Sequence, residues 1–390
     1  MKKIISILGS TGSIGTSSLK VINKEKNEFK FNVLSANSNY KEIINQIKKY
    51  KPRYFIISNN KTFLKVKNKI RKSKTILLNN YKKIVYTKYK NDITIAAIPG
   101  LAGLEPTIEL VKKSKKILIA NKESIICGWN IINTLAKKNK TIVVPIDSEH
   151  FSINKILENY KDSEVEKIYI TASGGPFLNT PISKFKKITP RDAIKHPKWK
   201  MGKKISVDSA TLMNKILELI EAQKIFPYKL NKYEIIIHPQ SLVHAIVKFK
   251  NGFSKFLYHE PNMIVPITNA IYDSKVLIKK YLNGKDENIK NLEFFKVDKK
   301  KFPSINLIPK LNNHVSTPII INAANEILVD QFLKKNISFN SIYAYLSILL
   351  RDKSYKKYAI QRPVNLKKIY LIDYWARYTI LKIIRNKNIK

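Results

Sequence analysis

Short apolar segments alternate with amphipathic segments along the first 147 residues. The apolar segments predict strands at Ile4–Leu8, Phe31–Ala36, Tyr54–Ile57, Ile93–Ala97, Ile117–Ala120 and Ile142–Pro145. Between them apolar residues recur at helical spacing, as in Ile43, Ile44, Ile47 and Tyr50, which predicts amphipathic helices. Alternating strands and helices are typical of a parallel sheet with helices on both faces. We therefore predict an α/β, Rossmann-like domain over residues 1–147, with ligands beyond the carboxyl ends of its strands.

The pattern becomes mixed after residue 147 and helical toward the end. Residues 148–272 contain a glycine turn at Ser173–Phe177 and a predicted helix from about Ser209 to Lys224. They also contain predicted strands near Ile235–Ile237, Ala245–Phe249 and Ser254–Tyr258. This mixture predicts a central α+β domain. Residues 273–300 are polar and lysine-rich, which is typical of a connecting segment. Residues 301–390 predict a C-terminal helical domain, with a helix at Asn322–Phe332 and a helical stripe of Ile369, Ile372, Ala376, Ile380 and Ile383.

Composition changes this picture little. The net charge of +45 raises the possibility of nucleic-acid binding. The lysines, however, are scattered and accompanied by an excess of Ile, Asn and Tyr, so we expect a solvated lysine surface and no specific nucleic-acid partner. No apolar run reaches the roughly 20 residues that span a bilayer, so we expect no membrane segment. The single cysteine, Cys127, fits a reducing cytoplasm and a small buried residue better than a nucleophile.

A glycine-rich turn directly follows the first predicted strand. Gly9, Gly12 and Gly15 have the spacing G-x-x-G-x-x-G, a variant of the dinucleotide fingerprint, and an apolar helix follows. Glycines permit a tight turn, and the helix N-terminus offers N–H groups and a positive dipole to a pyrophosphate. An ordinary glycine turn is the alternative. The position between a strand and a helix favours a dinucleotide site.

The residues after the second strand indicate which dinucleotide binds. NAD-dependent enzymes usually carry an acidic residue there, which binds the ribose 2′-hydroxyl. Here the sequence is Ala36-Asn37-Ser38-Asn39-Tyr40-Lys41, without a carboxylate. Lys41 could attract a 2′-phosphate. These residues favour NADPH.

Carboxylates stand where the last strand of this domain ends. Asp147 and Glu149 follow Pro145, and in an extended segment they would point to one face. Two hard carboxylates so placed can hold Mg²⁺ or Mn²⁺. The alternative is that they cap a helix beginning near Ser148.

A second polar group lies on one predicted helix. Ser209 at its start could meet a phosphate. Asn214, Lys215 and Glu218 share a face because they are three and four residues apart. An amide, an ammonium and a carboxylate on one face suit a phosphorylated polyol with a metal ion. A surface helix with an ordinary Lys–Glu pair is the alternative.

These motifs together resemble one enzyme family. In order they are GSTGSIG (9–15), ANKES (120–124), PIDSEH (145–150), TASGGPF (171–177), HPKWKMGKKISVDSATLMNKILE (196–218) and IHPQSLVH (237–244). NAANE (322–326) is similar to the family's C-terminal helical domain. Their order and spacing resemble those of the 1-deoxy-D-xylulose 5-phosphate reductoisomerase family.

The resemblance implies an activity and its cofactors. Members of the family rearrange 1-deoxy-D-xylulose 5-phosphate and reduce the product with NADPH to 2-C-methyl-D-erythritol 4-phosphate, in non-mevalonate isoprenoid precursor synthesis. A divalent metal, Mg²⁺ or Mn²⁺, chelates the substrate and acts as a Lewis acid. A cytoplasmic homodimer is also implied. Neither the physiological metal nor the choice between retro-aldol cleavage and a concerted shift can be deduced from the sequence.

The resemblance also implies site residues. The implied metal ligands are Asp147, Glu149 and Glu218. The implied catalytic residues are Lys122, Glu149 and His196. The implied substrate-binding residues are Ser148, Ser173, His196, Ser209, Asn214, Lys215 and Glu218. The implied NADPH-binding residues are Thr11, Gly12, Ser13, Ile14, Asn39, Asn121, Glu123 and Gly202. Trp199 and Met201 belong to an implied mobile lid.

The chain departs from the family at a few positions, and rival functions remain open. Asn37 stands where the family commonly has glycine, and Pro99 is unusual beside a cofactor-facing loop. Residues 273–300 and the tail after 345 match poorly. The rivals are an NADP-dependent dehydrogenase without a metal, a nucleic-acid-binding protein and a degenerate relative that is only structural.

Overall fold

The computed structural model describes residues 2–70, 73–82, 90–199, 201–282 and 291–388. The chain divides into two compact units. The first comprises Met1–Ile125, Trp129–Phe151 and Asn262–Asn288, and the second comprises Ile126–Gly128, Ser152–Pro261 and Ile289–Lys390. The domain borders at 147, 272 and 300 stay predictions, and residues 283–290 of the predicted connecting segment lie outside the described ranges.

The first unit contains a seven-stranded parallel sheet. Its strands are β1 (Lys3–Leu8), β2 (Phe29–Ala36), β3 (Tyr54–Ile57), β4 (Ile76–Leu78), β5 (Asn91–Ala96), β6 (Ser114–Ile119) and β7 (Ile142–Pro145). The strand order is β4-β3-β2-β1-β5-β6-β7. Ile5, Ile7 and Leu8 of β1 are fully buried, as expected for a central strand of a parallel sheet covered on both faces. The predicted parallel α/β fold is confirmed, with β4 as an additional edge strand.

Helices connect and cover these strands. They are α1 (Ser13–Lys24), α2 (Tyr40–Tyr50), α3 (Asn60–Lys69), α4 (Leu104–Val111), α5 (Lys122–Asn139) and α6 (Ser148–Leu157), which continues into the second unit. A later helix, α10 (Ile264–Ile271), returns to this unit and packs on α1 with Ile267 and Ile271 fully buried. The strand order reverses between β1 and β5, which is where such sheets bind ligands.

The second unit contains a five-stranded mixed sheet of order β11-β10-β8-β9-β12. Its strands are β8 (Val165–Ala172), β9 (Tyr233–Ile237), β10 (Val243–Phe249), β11 (Ser254–Tyr258) and β12 (Phe295–Lys296). Its remaining helices are α7 (Pro190–Ala193), α8 (Lys203–Ala210), α9 (Met213–Ile225), α11 (Thr317–Leu333), α12 (Ser341–Leu349), α13 (Tyr355–Ala359) and α14 (Leu366–Asn388). Helix α14 packs on α11 and α12, which confirms the predicted terminal helix and helical C-terminal region.

One local prediction was wrong, and one open alternative is decided. The helix predicted over Ser209–Lys224 is two helices, because Leu212 adopts a left-handed conformation with φ of 61° and the Thr211 carbonyl accepts a hydrogen bond from Ser304 Oγ (2.8 Å). Ser209 therefore lies in the last turn of α8, which ends at Ala210, and does not begin a helix. For the segment after β7 the sequence left two alternatives, and the helix beginning near Ser148 is the one found, since α6 begins at Ser148 and has Glu149 in its first turn.

Candidate active site

The glycine turn at the end of β1 has the geometry of an anion-binding loop. Gly9 has a φ of +79°, and a Cβ atom there would lie 2.6 Å from the Ala97 carbonyl oxygen. At Gly15 a Cβ atom would overlap the Gly9 carbonyl. Only glycine permits this close packing of α1 on the turn. The N-cap residue of α1 is Gly12, which has no side chain to accept hydrogen bonds from the first turn of the helix. The backbone N–H groups of that turn, beside Thr11, Ser13 and Ile14, can therefore donate to a pyrophosphate.

The loop after β2 is held by asparagine side chains. Asn39 caps α2 by accepting a hydrogen bond from the backbone N–H of Glu42 (3.3 Å). Asn37 Oδ1 accepts from the Ser58 hydroxyl (3.1 Å). The side-chain oxygens of both residues therefore support the loop. The nearby Lys41 is exposed, as a contact to a 2′-phosphate would require.

Asn121 fixes the loop that contains Pro99. Its side chain caps α5 by accepting from Ser124 N (2.7 Å). Its amide nitrogen donates to the carbonyl oxygens of Ile98 (2.6 Å) and Gly100 (3.1 Å) and to the Glu123 carboxylate (3.0 Å). Pro99 itself cannot donate a backbone hydrogen bond, and the side chain of Asn121 holds the carbonyls on either side of it.

A lysine and carboxylates meet where β6 and β7 end side by side. Lys122 Nζ lies 3.1 Å from Asp147 Oδ2, and Asp147 Oδ1 accepts from the backbone N–H of Ser148 (3.0 Å). The Ser148 hydroxyl donates to Glu149 Oε2 (2.7 Å). Ser148 and Glu149 are buried. The first unit thus brings together four of the residues implied by the resemblance, and their carboxylate oxygens are the ligand type that Mg²⁺ prefers.

In the second unit Ser173 and His196 form a pair. His196 Nε2 lies 3.0 Å from Ser173 Oγ, and its Nδ1 accepts from the backbone N–H groups of Lys198 (3.1 Å) and Trp199 (2.9 Å). Burial, with repulsion from Lys215, lowers the pKa of His196 to about 4, so the ring is neutral at pH 7. Because Nδ1 is an acceptor, we assign the single ring proton to Nε2, which donates to Ser173.

This pairing leaves the Ser173 hydroxyl able to donate. Ser173 Oγ accepts from His196 and also from the backbone N–H of Gly175 (3.1 Å). With both lone pairs used, its own proton can point to a ligand oxygen. Ser173 and His196 are 23 positions apart in the sequence, and no local motif links them, so the pairing was not predicted.

Helix α9 carries the predicted polar face. Glu218 is 1% exposed and Lys215 is 8% exposed. Lys215 Nζ lies 2.8 Å from Glu218 Oε2, and the Asn214 amide donates to the other Glu218 oxygen. A carboxylate is rarely buried without such partners, and a surface helix with an ordinary ion pair is therefore excluded.

Ser209 is close to the turn that carries Ser173. A Cβ atom at Gly175, whose φ is +65°, would lie 2.9 Å from the Ser209 carbonyl oxygen. The end of α8 therefore packs directly on the glycine turn. Ser173, Ser209 and the α9 face accordingly belong to neighbouring parts of the second unit.

An aromatic contact is made by the segment that the resemblance implies to be a lid. Trp199 lies edge-on to the ring of His244, with ring centroids 6.1 Å apart. Met201 and Gly202 follow it, and Gly202 is the N-cap of α8. Lys200 lies outside the described residues.

Family models match three parts of the chain. The model for 1-deoxy-D-xylulose 5-phosphate reductoisomerase matches residues 5–128. The model for the C-terminal domain of that enzyme matches residues 143–226, and the DXP reductoisomerase C-terminal domain model matches residues 259–379.

Relatives and solved structures agree with these models. The 1-deoxy-D-xylulose 5-phosphate reductoisomerase of Pelagibacter ubique (strain HTCC1062) is 46% identical over 387 residues, covering 98% of this chain and 99% of the relative. That of Wolbachia pipientis wMel is 38% identical over 399 residues, with 99% of each covered. The Zymomonas mobilis enzyme in complex with NADPH superposes with a TM-score of 0.88 at 31% identity, covering 98% of this chain and 99% of that one.

A complex of the same enzyme class shows the kinds of ligand bound. A DOX-P reductoisomerase with NADPH, fosmidomycin and magnesium superposes with a TM-score of 0.91 at 30% identity, covering 98% of each chain.

No helix in the described part of our chain has the length and hydrophobicity needed to cross a membrane.

Proposed function

Because the chain belongs to the 1-deoxy-D-xylulose 5-phosphate reductoisomerase family, we propose that the glycine turn of its first unit binds the pyrophosphate of NADPH and that residues of its second unit bind the phosphate group of the sugar. The chain catalyses the NADPH-dependent conversion of 1-deoxy-D-xylulose 5-phosphate to 2-C-methyl-D-erythritol 4-phosphate in isoprenoid biosynthesis, with a divalent metal ion. The observation that carries this conclusion is the match to relatives of that name over 98% of the chain. The roles of individual residues are our proposal.

The NADPH site is proposed at the switch point of the parallel sheet. The uncapped N-terminus of α1, with Thr11, Gly12, Ser13 and Ile14, would bind the pyrophosphate. Asn39, Asn121, Glu123 and Gly202 complete the proposed set. Asn121 would act by fixing the 98–100 loop, since its amide is already bonded to that loop.

The divalent metal is proposed to be held by Asp147, Glu149 and Glu218. These are hard oxygen donors that match Mg²⁺ or Mn²⁺, and Glu218 is a buried carboxylate that a cation would help to neutralise. Lys122 and Lys215 already neutralise part of this charge. When bound, the metal supplies Lewis acidity to the substrate ketone.

The phosphate is proposed to bind Ser173, Ser209, Asn214 and Lys215. The two hydrogen bonds that Ser173 Oγ accepts leave its proton available to donate to a phosphate oxygen. Lys215 supplies the positive charge from a partly buried position, where a charge-assisted hydrogen bond is strong.

His196 and Ser148 are proposed to contact the substrate as well. The hydrogen bonds that they already form restrict the roles that they can have there. The neutral ring of His196 already donates to Ser173 and accepts from the segment 198–199. We therefore assign it to orienting these groups and not to proton donation. The Ser148 hydroxyl orients Glu149 in the same way.

The reaction needs no covalent protein intermediate. A carbon–carbon bond of the substrate breaks and reforms to give a branched aldehyde, which then receives hydride from NADPH. The oxygen that carries negative charge along this path would be stabilised by the Lys122 ammonium. We further propose a cytoplasmic homodimer and a lid at Trp199 and Met201, which would exclude water while the aldehyde is present.

The first experiment is the reaction itself. NADPH oxidation should require both 1-deoxy-D-xylulose 5-phosphate and Mg²⁺ or Mn²⁺. Asp147→Asn, Glu149→Gln and Glu218→Gln should each raise the metal concentration needed for half-maximal rate and lower turnover by orders of magnitude. Glu158→Gln is the matched control, since Glu158 forms a half-exposed pair with Lys155. Loss of activity in the control, or normal metal dependence in the Glu218 variant, would contradict the assignment.

A further inference from the structure

Helix α8 contains a buried carboxylate that none of the proposed roles uses. Asp208 is 1% exposed. Its Oδ1 accepts from the side-chain amide of Asn325 in α11 (2.8 Å), and its Oδ2 pairs with Lys204 one turn earlier (2.8 Å). Asn325 is fully buried. A buried carboxylate that accepts from a fully buried amide defines the separation of two helices more narrowly than apolar packing does.

Asp208 is next to Ser209, which is proposed to bind the phosphate. The helix is also restrained on its other sides. The turn at Gly175 packs on the Ser209 carbonyl, and Ser304 donates to the carbonyl of Thr211 just beyond the helix. Of these restraints, the one from Asn325 acts on the residue immediately before Ser209.

We propose that Asn325 is a positioning residue for phosphate binding, acting through Asp208 to set the place of Ser209. The inference rests on the proposed function of Ser209. Asn325 lies 117 residues from Asp208 in sequence and would touch no reacting atom. Removing the Asn325 amide would leave Asp208 Oδ1 buried without the hydrogen-bond donor that it now has. The end of α8 would then move to recover a partner, because an unsatisfied buried acceptor is costly.

The shift should act on substrate binding and not on chemistry. A displacement of about 1 Å can change activity by up to a hundredfold. For Asn325→Ala we expect the KM for 1-deoxy-D-xylulose 5-phosphate to rise by about tenfold or more. We expect kcat to change by less than about threefold and the KM for NADPH by less than about twofold.

The control is Asn322→Ala in the same helix. Asn322 is 1% exposed, and its amide has no hydrogen-bond partner among the described residues. Both variants remove a buried asparagine side chain of the same size from α11, so they create the same loss of volume. Only Asn325→Ala should raise the sugar-phosphate KM. If both raise it equally, Asn325 has only a general structural role and the inference is wrong.

A double-mutant cycle with Ser209→Ala separates the inference from the proposed function. Ser209→Ala alone should raise the sugar-phosphate KM, and Asn325→Ala should add less than about twofold in that background, since its effect passes through Ser209. If Ser209→Ala leaves KM unchanged, the proposed role of Ser209 fails. If Ser209→Ala raises the sugar-phosphate KM and Asn325→Ala raises it further by the same factor as in the unmodified protein, the inference that Asn325 acts through Ser209 is wrong. Should Asn325→Ala fail to fold, Asn325→Ser is measured in the same cycle with the same expected outcomes.

Discussion

Replacing Gly175 by alanine should damage both the stability and the substrate affinity of the second unit. Gly175 has a φ of +65°, in the left-handed region, where an L-residue costs about 1–2 kcal/mol. The new Cβ would also lie 2.9 Å from the Ser209 carbonyl oxygen and 3.1 Å from Ala210 Cα. These are backbone atoms that cannot rotate away, and overpacking of this kind typically costs about 1–3 kcal/mol. The total expected loss is about 2–5 kcal/mol.

Alanine variants at two other glycines distinguish the cost of the left-handed backbone from the cost of the steric collision. Gly252, between β10 and β11, has a φ of +90° but would place its Cβ in open space, so Gly252→Ala should cost only the conformational part, about 1–2 kcal/mol. Gly202 has an ordinary φ of −64° and no atom within 4 Å of a new Cβ. Gly202→Ala should change stability by less than about 0.5 kcal/mol.

The assays are urea denaturation followed by far-ultraviolet circular dichroism, and the KM for 1-deoxy-D-xylulose 5-phosphate. The expected order of destabilisation is Gly175→Ala, then Gly252→Ala, then Gly202→Ala. Gly175→Ala should also raise the sugar-phosphate KM, because relief of the collision displaces Ser209. Equal destabilisation by Gly175→Ala and Gly252→Ala would refute the close packing of the turn on α8.

Four further outcomes are expected. NADPH should be preferred to NADH by at least about tenfold in kcat/KM, since residues 37–41 after β2 carry no carboxylate. Equal rates with the two cofactors would contradict this. Lys215→Ala should raise the sugar-phosphate KM by about tenfold to a hundredfold without changing NADPH affinity, and a fall in NADPH affinity would place Lys215 in the other pocket. The pKa of His196 is lowered to about 4, so its contribution to stability is complete above pH 6.5 and is lost as the pH falls toward 4. The melting temperature of His196→Gln should therefore depend less on pH between 6.5 and 4 than that of the unmodified protein. Identical pH profiles would refute the assignment of a neutral ring. Trp199→Ala should lower kcat/KM by about ten- to a hundredfold with little change in melting temperature, whereas a lower melting temperature with normal kcat/KM would show that Trp199 only anchors its segment on His244.

Most strands of the parallel sheet could be predicted because buried strands are nearly continuous apolar runs. The three-residue β4 (Ile76–Leu78) is too short for that signal. Strand β8 was missed because Glu166 and Lys167 interrupt its apolar residues, although Val165, Ile168 and Ile170 are buried. The local pattern therefore finds strands with an unbroken apolar run, and it misses the short edge strand β4 and the central strand β8, in which charged residues interrupt the apolar ones.

In the site, too, the features that depend on local sequence were predictable and those that depend on distant residues were not. Motif spacing predicted the α9 face of Asn214, Lys215 and Glu218, since one helix sets all three positions. The break before α9 could not be predicted, because the carbonyl of Thr211 is bound by Ser304 from 93 residues away. Partnerships that depend on tertiary packing leave no period in the sequence.

The return of α10 to the first unit has a consequence for how the chain is made. The helix that covers α1 is synthesised only after residue 262, whereas the other segments of the first unit end at Phe151. At translation rates of about 5–20 residues per second, roughly 5–20 s pass between these points. During that interval the part of α1 that packs on α10 has no cover from α10, and the nascent chain is exposed to chaperones and to aggregation. A fragment ending at Phe151 would keep this exposed face permanently, so an independent cofactor-binding fragment requires residues 262–288 to be joined to it.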